Sequence, residues 1–179
     1  INLVFSFNLS SSQQDDRLGV FFWLLWRLRI SSILGMNKNE FKNKTILVTG
    51  GTGSIGLEIV RQLISYKPKA IRVFARHEDR HFSVMQELGL DESGEPLRFM
   101  IGDVRDRDRL KMAMEGVDIV FHAAALKHVP MCEYNPFEAV KTNIIGTQNV
   151  IELARELGVD KVISISTDKV VDPTSVLGA

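Results

Sequence analysis

Residues 45–56 read Thr45-Ile46-Leu47-Val48-Thr49-Gly50-Gly51-Thr52-Gly53-Ser54-Ile55-Gly56, a short apolar run that breaks into glycine. Continuous apolar, β-branched character of this length predicts a strand buried on both faces, as in parallel sheets. Ile55, Ile59, Val60 and Leu63 then recur at helical spacing, so a helix begins near Ser54. Gly50, Gly53 and Gly56 thus occupy a strand-to-helix turn. Glycine there lets the backbone turn tightly and approach a pyrophosphate, and the helix start offers unpaired N–H groups and a partial positive charge. A tight turn with no ligand is the alternative, and the later strand ends decide between the two.

The pattern repeats downstream. Strands are predicted over 45–49, 70–75, 97–101, 118–122 and 161–166, alternating with helical stretches. The longest of these helices carries Ala139, Ile144, Val150, Ile151 and Ala154 at a looser apolar spacing. Such alternation specifies an α/β fold, a Rossmann-type doubly wound parallel sheet, and right-handed crossovers give the strand order 3-2-1-4-5. The sheet is expected to be incomplete at the C-terminus, and residues 91–96 to form a surface turn.

Open sheets of this kind bind ligands at the carboxyl ends of their strands. About twenty residues past Gly56, where NAD-selective folds place a carboxylate, stand Phe74-Ala75-Arg76-His77. Arg76, helped by Arg80, would pair with a 2′-phosphate, which makes NADP the expected cofactor; a solvated arginine at a strand end is the alternative. Asp103 is placed to hold the adenine, while Ala123, Ala124 and Ala125 either leave room for the nicotinamide ribose or pack the core. Ser54, Ile55, Val104 and Lys127 complete the expected cofactor site.

Composition narrows the function classes. Lys and Arg total 22 against 22 Asp and Glu, and Arg105, Arg107, Arg109 and Lys111 alternate with acids and apolar residues, so a solvated helix face is expected and no nucleic-acid surface. The single cysteine, Cys132, allows no internal disulfide, fits a reducing cytoplasmic setting and is expected half-buried. His77, His81, His122 and His128 show none of the paired spacings of a structural zinc site, so no metal is expected. Residues 1–35 differ in kind. No Met precedes Met36, and the apolar run 18–26 is closed by Arg27 and Arg29 at about half the length a membrane span needs. Asp15, Asp16 and Arg17 do not suit a secretory signal either. Residues 1–35 are therefore expected to lie outside the fold, an interfacial membrane helix being the other reading, and 36–179 to be a truncated NADP-binding domain.

The run Thr49 to Gly56, the segment Gly102-Asp103-Val104-Arg105-Asp106 and the alanine triplet together resemble the extended short-chain dehydrogenase/reductase superfamily. Two more segments are narrower: Ala124-Ala125-Leu126-Lys127-His128-Val129-Pro130 with Glu133-Tyr134-Asn135-Pro136, and Ser166-Thr167-Asp168-Lys169 leading to Pro173-Thr174. They are similar to the polysaccharide-biosynthesis branch of nucleotide-sugar enzymes, which includes inverting UDP-N-acetylglucosamine 4,6-dehydratases. The resemblance runs from about Lys44 to Ala179 and implies a UDP-sugar substrate; a homo-oligomer is also expected.

It implies roles as well. In that chemistry a hydride leaves sugar C4 for NADP, the 4-ketone acidifies the C5 proton, the C6 hydroxyl departs with a proton, and the hydride returns to C6. By resemblance Asp168 is the acid and Lys169 the base, with Thr167 beside them; an exposed strand-end ion pair is the alternative. The superfamily's Tyr-x-x-x-Lys pair would begin at Leu177, which cannot move protons, so Thr167, Asp168 or Lys169 would assist C4 oxidation. The partner lysine would fall past Ala179, and this stretch alone is expected to be inactive. A nucleotide-sugar 4-epimerase of the same branch and a non-catalytic NADP-binding protein are the competing readings.

Overall fold

The computed structural model describes residues 2–6, 38–89 and 96–166. Their strands form one parallel sheet: β1 (Asn2–Ser6), β2 (Thr45–Thr49), β3 (Ala70–Ala75), β4 (Leu97–Ile101), β5 (Ile119–His122) and β6 (Lys161–Ile165), in the order β1-β6-β5-β2-β3-β4. The five strands read from the sequence keep their expected order. Asp118, expected inside β5, stands just before it. Its carboxylate accepts the Thr45 N–H at 2.7 Å and Lys44 Nζ at 2.9 Å, while Lys44 also reaches Asp160 at 3.0 Å. This clamp closes the end of the sheet opposite the glycines. Burial works against ionisation of Asp118, yet the bonds from Lys44 and Thr45 hold its carboxyl below the ordinary range.

The sixth strand departs from expectation. Asn2–Ser6, read as upstream of the fold, run parallel to β6 from Asn2↔Lys161 to Ser6↔Ile165. The outer edge of β6 presents backbone N–H and C=O groups that need partners, and Leu3-Val4-Phe5 favours an extended chain. The apolar run 18–26 lies outside the described residues. Among the described residues, no helix is long and apolar enough to cross a membrane.

Alternate strand residues serve opposite faces, and the central strands are apolar on both, at Ile46-Leu47-Val48 and Ile119-Val120-Phe121. Leu47, Phe74, Val120 and Val162 pack with Leu110 and Met114 of α3 (Arg107–Met114) and Val150 and Leu153 of α6 (Gly146–Glu156). Ile46, Val48, Val73, Phe121 and Ile163 pack on the other face with Ile59, Val60 and Leu63 of α1 (Ser54–Ile64). Each fully buried aliphatic or aromatic side chain contributes about 1.5–3 kcal/mol. The remaining helices are α2 (Glu78–Glu87), α4 (Val129–Tyr134) and α5 (Pro136–Ala139). The expected solvated face of α3 is ion-paired to its neighbour, with Arg107 and Lys111 both reaching Glu156.

α5 runs into α6 through a π-helical turn, Val140–Ile145. The loose periodicity of the sequence has its cause here. Ala139, Val150 and Ala154 are buried, but Ile144, expected on the apolar face, is 57% exposed. The widened turn shifts the phase of the helix, and Thr142, Gly146 and Asn149 take inward positions instead.

Candidate functional site

The glycine turn sits where β2 meets α1. Gly50 has φ +68, a left-handed conformation that favours glycine, and its N–H donates to Phe74 O at 2.8 Å. A Cβ at Gly50 would lie 2.8 Å from the Ala123 and Ala124 backbone, and one at Gly56 would lie 2.2 Å from Gly50 O. The turn is therefore folded tightly on itself and against the end of β5. Gly53 caps α1 without a side chain, so no cap consumes the first-turn N–H groups, and Ser54 at the helix start is exposed. Ile55, by contrast, packs against the core beneath α1.

Arg76 is exposed at the end of β3, with Nη1 3.7 Å from Asp103 Oδ2. Asp103 is already engaged. Its Oδ1 accepts the Arg105 N–H at 3.0 Å and its Oδ2 accepts Arg105 Nε at 2.9 Å and Nη2 at 2.7 Å, while Arg105 also pairs with Glu138. Burial raises the Asp103 pKa, but the Arg105 bonds and the charges of Arg105 and Arg76 bring it below the ordinary value. Asp103 thus anchors Arg105 and borders Arg76. Val104 is 4% exposed in the core and its carbonyl accepts Asn149 Nδ2 at 2.9 Å. Ala123 and Ala124 are half-buried, and Ala125 and Lys127 are exposed on the loop after β5. Cys132, expected half-buried, is 1% exposed; burial, with the Glu133 charge, pushes its thiol pKa up.

Sequence reasoning missed a buried polar group between these loops. Thr49 Oγ1 and His122 Nδ1 are 2.7 Å apart, and His122 Nε2 and Thr147 Oγ1 are 3.0 Å apart. Asn143, on the π-helical turn, holds Leu126 twice: the Leu126 N–H donates to its Oδ1 at 2.8 Å and its Nδ2 donates to Leu126 O at 3.0 Å. Burial lowers the His122 pKa to about 4. One signal was available, because Thr49 and His122 are polar residues that directly follow the apolar runs Ile46-Leu47-Val48 and Ile119-Val120-Phe121, and they pair in register. Thr167, Asp168, Lys169 and Leu177 lie outside the described residues, which end just past β6 at Ser166.

A family model described as polysaccharide biosynthesis protein matches residues 46–179. The chain belongs to this family. It is 62% identical over 141 residues to an uncharacterized membrane protein of Methanocaldococcus jannaschii, covering 79% of this chain and 41% of that protein. It is 49% identical over 140 residues to UDP-N-acetylglucosamine 4,6-dehydratase (inverting) of Campylobacter jejuni, covering 78% and 41%. Against UDP-glucose 4-epimerase of Rickettsia canadensis the identity is 44% over 142 residues, covering 77% and 40%. Two solved structures share the fold: Pen from Bacillus thuringiensis (TM-score 0.74, 48% identity, 77% of this chain and 43% of that one) and dTDP-glucose 4,6-dehydratase from Streptomyces venezuelae with NAD bound (TM-score 0.65, 28% identity, 75% and 47%). This polysaccharide-biosynthesis chain spans less than half the length of each.

Proposed function

We propose that the protein carrying this chain is a nucleotide-sugar 4,6-dehydratase that takes UDP-N-acetylglucosamine, inverts C5 and works with NADP. The 49% identity to the inverting dehydratase carries this reading. The cradle fits the cofactor: Gly50 and Gly56 stand where any Cβ would collide with backbone, and α1 opens without a side-chain cap. Gly50, Gly53, Ser54 and Gly56 would hold the pyrophosphate, Ala123 and Ala124 would border the nicotinamide ribose, and exposed Arg76 would receive the 2′-phosphate. A nicotinamide dinucleotide held by these residues would supply the redox chemistry, reversible hydride transfer.

The chain's own residues do the proton work. Lys169 takes the C5 proton made acidic by the C4 ketone, and Asp168 protonates the departing C6 hydroxyl, with Thr167, Asp168 or Lys169 assisting oxidation at C4 in place of the tyrosine that Leu177 replaces. Residues 36–179 would be the cofactor half of the enzyme. Exposed Met131, Tyr134 and Phe137 on α4 and α5 support homo-oligomer formation. A 4-epimerase is the second reading, favoured by the similarity to UDP-glucose 4-epimerase.

One experiment separates the two. In heavy water with UDP-N-acetylglucosamine, the full-length protein should give a 4-keto-6-deoxy product with deuterium at C5, inverted configuration there, the original C4 hydrogen on C6 and no net use of NADP. A product that is only the C4 epimer, unlabelled at C5, would replace this reading with the epimerase one.

A further inference from the structure

The hydrogen bonds around His122 have a direction that the geometry settles. Thr147 has one hydroxyl proton, and it is donated to Asn143 O at 2.6 Å. Thr147 Oγ1 must then accept from His122, which places the ring proton on Nε2. Nδ1 is left as an acceptor, and Thr49 donates to it. The Ala124 N–H in turn donates to Thr49 Oγ1 at 3.4 Å. In the other tautomer His122 would donate to Thr49 and compete for the Thr147 proton, which would leave the Asn143 carbonyl or the ring nitrogen short of a donor in a buried site.

With the two bonds between Asn143 and Leu126, this chain forms a closed circuit from Ala124 through Thr49, His122, Thr147 and Asn143 back to Leu126. It ties together the residue before Gly50, the loop after β5 that carries Ala123, Ala124 and Lys127, and the π-helical turn. Thr49 and His122 are 0% and 4% exposed, so neither presents a surface to a ligand. We propose that His122, as the neutral Nε2–H tautomer, is a positioning residue that sets the separation between the glycine turn and the loop after β5, and thereby the width of the cofactor cradle. The inference rests on the reading of that cradle as a dinucleotide site.

The test uses the full-length protein with NADP as probe. Thr49→Val keeps the shape and removes the hydroxyl, and should raise the NADP Kd about tenfold, the equivalent of one buried hydrogen bond. Thr49→Ser should restore binding to near wild type. His122→Asn should also raise Kd, and adding it to Thr49→Val should cost less than the two effects combined, since both break one circuit. His81 is also buried and donates from Nε2 to Ala75 O, so the His122 signal is assigned by its loss in His122→Asn; in nitrogen-15 spectra of histidine-labelled wild-type protein it should show Nε2 protonated and Nδ1 unprotonated. A proton on Nδ1, or an unchanged Kd in Thr49→Val, would overturn the proposal. If the wild-type protein binds no nicotinamide dinucleotide at all, the dinucleotide reading fails and takes the positioning role with it, whatever the variants do.

Discussion

Acidification should unlock the fold at His122 before it reaches the carboxylates. An ordinary imidazole titrates at 6.5 and burial lowers His122 to about 4, so between these values the unfolded chain binds more protons than the folded one. Stability is then whole above pH 6.5 and falls as the pH drops toward 4. The gap from 6.5 to about 4, at about 1.36 kcal/mol per pH unit, amounts to about 3 kcal/mol, with about 2 kcal/mol gone by pH 5. Asp103 and Asp118 are held below 3.8, so their contributions are lost at lower pH, outside this window. The measurement is urea unfolding of wild type and His122→Asn at steps from pH 7.5 to 4.5. Asparagine offers Thr49 an acceptor but cannot ionise, so the variant should be the less stable at pH 7.5 and its deficit should shrink by about 2 kcal/mol at pH 5. Parallel stability curves for the two proteins would refute the reasoning, because they would mean that His122 carries no proton linkage.

Gly56→Ala places a methyl 2.2 Å from Gly50 O, so it should cost about 1–3 kcal/mol in unfolding free energy and weaken NADP binding; unchanged denaturation and titration curves would show the turn to be looser than described. Arg76→Ala should narrow the preference for NADP over NAD by about tenfold in calorimetric titration, given an exposed charge-assisted pair, and an unaltered ratio would remove Arg76 from the 2′-phosphate site. Lys169→Ala should abolish elimination, read as loss of the 4-keto product, while NADP affinity stays at the wild-type value.

The parts of the fold that could be read in advance are those where burial on both faces left a plain trace. Ile46-Leu47-Val48 of β2 and Ile119-Val120-Phe121 of β5 are unbroken apolar cores, and the glycines follow β2 directly, so the centre of the sheet and the glycine turn were both legible. Ile144 was not, because a π-helical turn leaves no residue type as its signature and only loosens a periodicity. His122 and Thr49 were passed over as strand residues, since each is unremarkable alone and the pair becomes visible only once β2 and β5 are set side by side in register. The charge of Asp103 is plain in the sequence, but its two oxygens face Arg105, a partner two residues on that no spacing pattern announces. β1 was missed because a strand at a sheet edge needs little beyond an available neighbour, and nothing in Asn2–Ser6 names β6 as that neighbour.

The turn at Val140–Ile145 works as a phase spacer within one long helix. It absorbs one extra residue, so a deletion that kept the wide turn would rotate one side by about 100° relative to the other, and one that restored ordinary winding would take a residue out of the turn itself. Either change would disturb the spacing by which Asn143 meets Leu126 and Thr147 meets His122. Length is therefore held more tightly than composition in this segment: substitutions at exposed Ile144 and Ile145 should pass with little effect, whereas insertion or loss of one residue would disconnect the helix from the loop it steadies.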